Sequence, residues 1–238
     1  MHRGAVLPGA KAGARLSLQL PAAGAGVLVH ISAIGADAKS DSIYAATKGR
    51  PEASVQSILP DATILRPSIV FGPEDGFFNK FAAMAQLSPV LPLVGGGKTK
   101  FQPVYVEDVA EAVALSVDGS IASGKIYELG GRDVLTFKQC LQTMLEVIGR
   151  KRALVPMPFG IASMIGSIAS AIPLITPPLT SDQVTLLKRD NVVSDSAKAE
   201  GRTLEGMGIQ PVKVASILPT YLVHFRPHGQ FTGSGKAA

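Results

Sequence analysis

From Val27 onward, short apolar runs alternate with stretches of helical periodicity, and this alternation limits the fold more than any other feature of the chain. Val27–Ser32 reads as a buried strand. Asp41–Leu59 reads as a helix, capped by Asp41 or Ser42 and ended by Pro60-Asp61. Ala62–Arg66 is a second buried strand, stopped by Pro67. Helices are expected over Phe77–Leu87, Glu107–Asp118 and Thr136–Ile148, the last capped by Thr136 and closed by Gly149. Val90–Val94 and Lys125–Leu129 read as strands, with Phe101–Val106 extended. Parallel strands need long crossovers, and interposed helices supply them, so an α/β fold with a mostly parallel sheet is expected.

Composition sets the outer bounds. The 238 residues are 46% apolar and 17% charged, which supports a packed core and excludes a disordered chain or a coiled coil. The single cysteine, Cys140, excludes a disulfide framework and a cysteine-rich zinc site, and it reads as core. There is no clean apolar run of about 18 residues, so no transmembrane helix is expected. The formal charge is +5, but Arg3, Lys11 and Arg15 all precede the first acid, Asp37. Beyond that point the balance is 20 − 18 = +2, with no basic stripe interleaved with aromatics, so nucleic acid is not an expected partner.

Four segments are read along the chain. Residues 1–26 contain no acid and are expected to lie outside the fold that follows, with a targeting peptide as the alternative; Gly4, Gly9 and Gly13 follow no strand. Residues 27–152 carry the strand–helix pattern. Residues 153–231 form a smaller part facing substrate or a partner, and 232–238 a loose tail. Residues 153–181 hold five prolines and no charge, with an apolar helix over Phe159–Ile172. They suit a cap over a substrate cleft, the favoured reading, or a surface docked on lipid or a membrane-embedded partner. Short helices are expected at Ser181–Lys188, Glu205–Met207 and Lys213–Phe225.

The chemistry concentrates in Ser32, Tyr44 and Lys48. Ser32 ends a strand; Tyr44 and Lys48 are four apart on one helix and share a face. A phenol ionises near pH 10, too high for a base at neutral pH, and a neighbouring ammonium is expected to lower that value. A serine hydroxyl beside the pair can hydrogen-bond a carbonyl or alcohol. Together they make a proton-transfer device suited to hydride chemistry on a nicotinamide. Pro51 is expected to kink the helix just beyond Lys48. His30 reads as core. No metal site is expected, because His224 and His228 flank a proline and have no carboxylate beside them. Gly95–Lys100 could hold an anion or be a plain turn, and Asp108 reads as a helix anchor that could also organise the site.

Ser32, Tyr44-x-x-x-Lys48, ILRPSIVFGPED (64–75) and VYVEDVAEAV (104–113) resemble the extended and atypical short-chain dehydrogenase/reductase superfamily. HISAIGAD (30–37), LVGGGKTKFQPVYVEDVA (93–110), PPLTSDQVTLLKRDNVV (177–193) and ILPTYLVHFRPHGQF (217–231) are similar to bacterial relatives of the nucleotide-binding accessory subunit of respiratory complex I, the NADH:ubiquinone oxidoreductase. The resemblance implies a Rossmann-like, doubly wound sheet with a small, mostly helical C-terminal part. It implies NAD or NADP as cofactor, with Ser32, Tyr44 and Lys48 catalytic and Tyr44, Lys48, Pro67, Ser68 and Ile69 against the nicotinamide end. It further implies complex I subunits as partners, a mainly structural nucleotide, and a cytoplasmic position, peripheral at the inner face of the bacterial inner membrane through a partner. The alternative is a working NAD(P)-dependent oxidoreductase or sugar-nucleotide epimerase/dehydratase.

The chain departs from that pattern in one large respect. The family's Gly-x-x-Gly-x-x-Gly turn, which holds the pyrophosphate, belongs about a hundred residues before Ser32, several βα units upstream. Only 31 residues precede Ser32. The expectation is a truncated sheet with an open edge, impaired cofactor binding, and a tendency to aggregate or to need a partner.

Overall fold

A computed structural model describes residues 26–170, 181–227 and 229. Its elements, in chain order, begin with β1 (Val29–Ile31), α1 (Ile43–Ile58), β2 (Thr63–Pro67), β3 (Val70–Phe71), α2 (Phe78–Leu87) and β4 (Val90–Val94). They continue with β5 (Lys100–Phe101), β6 (Val104–Tyr105), α3 (Val106–Val117), β7 (Ile126–Leu129), β8 (Leu135–Thr136) and α4 (Phe137–Val147). The remainder is β9 (Ala153–Met157), α5 (Phe159–Ser170), α6 (Ser181–Leu186), α7 (Asp195–Ala199) and α8 (Val214–Tyr221). Of the expected N-terminal segment, 1–26, residues 1–25 lie outside the described residues, as does the whole of the expected tail, 232–238.

The fold is α/β with mostly parallel pairing, as the alternation predicts. The Rossmann-like arrangement expected is present, with shorter strand pairs in addition to the main parallel sheet. β1, β2 and β7 form a three-stranded parallel sheet in the order β1-β2-β7, with Ile31 opposite Leu65 and Leu65 opposite Tyr127. The rest are pairs: β3 with β6 and β4 with β9 in parallel, β5 with β8 antiparallel. The stretch read as one extended segment, Phe101–Val106, therefore serves two different pairs.

Two compact units result, and the chain visits each more than once. The first contains the described residues through Pro67, with Ala110–Leu129 and Val193–Ile209. The second contains Ser68–Val109, Gly130–Val192 and the described residues from Gln210 onward. This differs from the linear division at residue 152. The reason is β9, which sequence patterning missed because Pro156 demotes a strand. It pairs in parallel with β4, Val90 opposite Ala153 and Val94 opposite Met157, and so joins residues 153–157 to the segment holding β4.

Local rules explain most of the elements. Ser42, not Asp41, caps α1: its side chain accepts from the Ala45 N–H. Thr136 caps α4 in a reciprocal box with Gln139. Pro51 does not end the helix: α1 runs from Ile43 through Pro51 to Ile58, with Pro51 and Val55 buried. Tertiary burial outweighs the loss of one helical donor here. The core of the second unit is aromatic. Phe77 lies 5.0 to 6.1 Å, centroid to centroid, from Phe78, Phe81, Phe101 and Phe137, and Cys140 is buried beside them as expected. No helix among the described residues is long and apolar enough to cross a membrane.

Candidate functional site

Within the first unit, β1 leads into Ser32, and α1 carries Tyr44 and Lys48. His30 and Ser32 are two apart on an extended strand and point the same way. Ser32 continues the β1 register, its N–H donating to the Leu65 carbonyl at 2.8 Å. On α1, Tyr44, Lys48 and Glu52 recur at every fourth position and so share a face. Lys48 Nζ sits over the Tyr44 ring, 5.9 Å from its centroid, as a cation–π pair.

Close helix packing sets this geometry. A Cβ added at Gly49 would lie 2.3 Å from the Ala38 backbone nitrogen and 2.4 Å from the Asp37 carbonyl carbon, so only glycine lets α1 approach the loop after β1. The Asp37 N–H donates to the Ala45 carbonyl at 3.1 Å, tying that loop to the first turns of α1.

The electrostatics correct one expectation. Tyr44 is 45% exposed, yet partial burial of its phenol raises its pKa above the ordinary tyrosine value. The direction is opposite to the lowering expected from Lys48: burial sets it, with the ammonium 5.9 Å from the ring centroid.

Two buried side-chain atoms have no hydrogen-bond partner among the described residues: Ser32 Oγ and His30 Nε2. Ser32 is 2% exposed. Buried polar groups normally find partners, so an orphan hydroxyl in the unit that also holds Tyr44 and Lys48 fits a ligand oxygen. His30 is not plain core. Burial lowers its pKa, Glu52 works against that, and Lys48 adds to the lowering.

Glu52 is a residue that sequence reasoning missed. It is buried, and the Arg66 guanidinium grips it with two donors, Nε to Oε2 at 3.0 Å and a second bond from NH2 to Oε1. Arg66 lies on β2, so the pair ties the third turn of the Tyr44/Lys48 face to the central strand. The periodicity Tyr44, Lys48, Glu52 was the available signal.

The three predicted cofactor contacts fare differently. Pro67 is buried at the end of β2, and its carbonyl accepts from the Ile34 N–H at 2.9 Å. Ser68, in the second unit, has its hydroxyl engaged by the fold. It faces the Asn191 carbonyl and side-chain oxygens at 2.9 and 2.6 Å and accepts from the Gln102 N–H. Only its backbone remains for a ligand. Ile69 packs against the aromatic core.

Other candidates resolve into structure. Gly95 packs so tightly on Phe159 that a Cβ would meet the ring at 2.3 Å, and Gly95, Gly96 and Gly97 all have positive φ, so the turn reading suffices there. Asp108 is buried and accepts from the Val212 N–H, anchoring the segment before α8. His224 Nδ1 lies 2.8 Å from the Tyr221 carbonyl; His228 lies outside the described residues. No group of three or more potential metal ligands occurs among the described residues.

With this geometry in view, comparison with known proteins is direct. Residues 33–130 match the NAD dependent epimerase/dehydratase family. That stretch of the chain is similar to the family. The chain is 36% identical over 215 residues to the mitochondrial NADH dehydrogenase (ubiquinone) 1 alpha subcomplex subunit 9 of Arabidopsis thaliana, covering 87% of this chain and 52% of that protein. It is 28% identical over 203 residues to the mitochondrial NADH-ubiquinone oxidoreductase 40 kDa subunit of Neurospora crassa, covering 85% and 52%. The chain thus spans about half the length of the curated relatives it matches. Among solved structures, the Streptomyces venezuelae dTDP-glucose 4,6-dehydratase crystallised with NAD superposes with a TM-score of 0.63 at 19% identity, over 90% of this chain and 64% of that one. That similarity shows the fold.

Proposed function

We propose that this chain contributes the nicotinamide-facing half of a nucleotide-binding accessory subunit of a complex I-type NADH:ubiquinone oxidoreductase, in which the bound NAD or NADP is mainly structural. The observation that carries the reading is the buried, unpartnered Ser32 hydroxyl, in the same unit as the Tyr44–Lys48 pair. Kinship with the Arabidopsis and Neurospora subunits supports the assignment to complex I. The residues present fit the nicotinamide end of a dinucleotide: a hydroxyl donor, a phenol and a flexible ammonium able to bond ribose hydroxyls. No Gly-x-x-Gly-x-x-Gly turn occurs among the described residues, so the fit argued here concerns the nicotinamide end alone. With complex I subunits as partners, the protein would sit peripherally at the cytoplasmic face of a bacterial inner membrane.

A second reading has its own support. When bound, the dinucleotide supplies hydride transfer. Ser32 would then hold a substrate oxygen, and Tyr44 would give or take the proton at its phenolic oxygen. Lys48 favours the ionised phenol once it swings from the ring face toward the oxygen. The intact Ser32, Tyr44 and Lys48 set favours this oxidoreductase or epimerase/dehydratase reading.

The test is titration of the whole protein with NADH and NADPH, followed by assays on sugar nucleotides and carbonyl substrates with wild type and Tyr44→Phe. Binding without turnover by either form supports the structural role. Turnover that Tyr44→Phe abolishes establishes the enzyme, and absence of binding removes both.

A further inference from the structure

Lys48 has two neighbours on its own face of α1, and they compete for it. Tyr44 stands one turn before it and Glu52 one turn after it. A lysine and a glutamate four apart on a helix ordinarily attract each other. Here they do not pair. Lys48 Nζ lies over the Tyr44 ring, and no ion pair joins it to Glu52.

The reason lies on the adjoining strand. Both oxygens of Glu52 are engaged by Arg66 of β2, Nε donating to Oε2 at 3.0 Å and NH2 to Oε1. The Glu52 side chain is 4% exposed, so water offers its charge no alternative. A carboxylate withdrawn from water needs a cation, and the planar fork of arginine matches it better than the point charge of lysine does. Arg66 has little reason to turn elsewhere. Glu128 lies opposite it in the β2–β7 register, but Glu128 Oε2 already accepts from the Ser194 N–H at 2.7 Å.

We propose that Arg66 is a positioning residue for Lys48: by occupying Glu52, it keeps the ammonium on the Tyr44 side of the helix face. Without that grip the buried Glu52 carboxylate takes Lys48, one turn away, as its counter-ion. The capture needs no nucleotide. Only its effect on affinity rests on the reading above, in which Lys48 bonds ribose hydroxyls, so the two can fail separately.

The test is acetylation of the nucleotide-free protein with acetic anhydride, with the rate at Lys48 read by peptide mass spectrometry. Arg66→Gln should slow Lys48 labelling about fivefold, as a new charge-assisted bond to a carboxylate implies. Glu52→Gln breaks the same contact from the other side but leaves no carboxylate to capture Lys48, so it should label as wild type does. Arg66→Gln combined with Glu52→Gln should restore the wild-type rate. A merely structural pair would make the two single variants alike. Should Arg66→Gln melt below the labelling temperature, Arg66→Lys retains a cation without the two-pronged grip and should slow labelling about twofold. Titration with NADH should follow the same order, with Arg66→Gln binding about tenfold more weakly and Glu52→Gln nearly as wild type. Equal labelling of Lys48 in wild type, Arg66→Gln and Arg66→Lys, or equal slowing by Arg66→Gln and Glu52→Gln, would overturn the inference. Absence of NADH binding in every form would remove the nucleotide reading and leave the labelling to decide.

Discussion

Two buried serines end neighbouring strands in the sequence pattern and have opposite surroundings. Ser68 has its hydroxyl consumed by Asn191 and the Gln102 N–H. Ser32 is as deeply buried and has no partner among the described residues. The first is an internal tie; the second stays poised toward something outside the described chain. A polar atom withdrawn from water and left unmatched costs stability, and a fold tolerates that where a ligand completes it. The same contrast separates Glu52, gripped by Arg66, from its neighbour on the helix face, Tyr44, which stays half exposed.

Predictions follow from that contrast. The largest effect is at the matched pair. Arg66→Ala or Glu52→Ala strands a buried charge and should cost about 3 kcal/mol or more in denaturant unfolding. Gly49→Ala forces α1 away from the Asp37–Ala38 backbone and should cost about 2 kcal/mol, read by the same method. Ser68→Ala removes the hydroxyl that donates to Asn191, while the Gln102 N–H keeps the Asn191 carbonyl at 3.1 Å, and should cost about 1 kcal/mol. Ser32→Ala should leave the melting temperature unchanged or slightly raised, since it removes an unmatched group. A large loss of stability there would end the contrast.

Two titrations sharpen it further. Burial lowers the His30 pKa, so the unfolded chain binds more protons than the folded one once pH drops below the ordinary histidine value of about 6.5. The stability His30 contributes is complete above that pH and is lost as pH falls through the lowered folded value; His30→Gln should flatten this limb of the unfolding profile. The Tyr44 phenol is raised, so its ultraviolet transition should come above pH 10, and Tyr44→Phe should delete it. Any turnover that needs the phenolate should therefore rise with pH across that range.

What the sequence made legible was local. The Ser42 and Thr136 caps, the buried strand Ala62–Arg66 and the Tyr44–Lys48 face each depend on residues within a few positions of one another. Features that depend on distant registry were hidden. Asn191, which engages Ser68, is 123 residues away. β9 contains a proline and has meaning only opposite β4. The Glu52–Arg66 grip requires knowing how α1 lies on β2, although the four-residue spacing already marked the side of α1 that carries Glu52. The raised Tyr44 pKa was misjudged because spacing places Lys48 beside Tyr44 without saying how far the phenol is withdrawn from water.

The most direct measurement is fluorescence titration of NADPH and NADH into the whole protein, comparing wild type with Lys48→Ala and with Ser68→Ala. The account predicts that Lys48→Ala weakens binding about tenfold while melting unchanged, as loss of one charged hydrogen bond implies. Ser68→Ala should lower stability and leave affinity nearly intact. Equal affinity for wild type and Lys48→Ala, or a loss confined to Ser68→Ala, would contradict it.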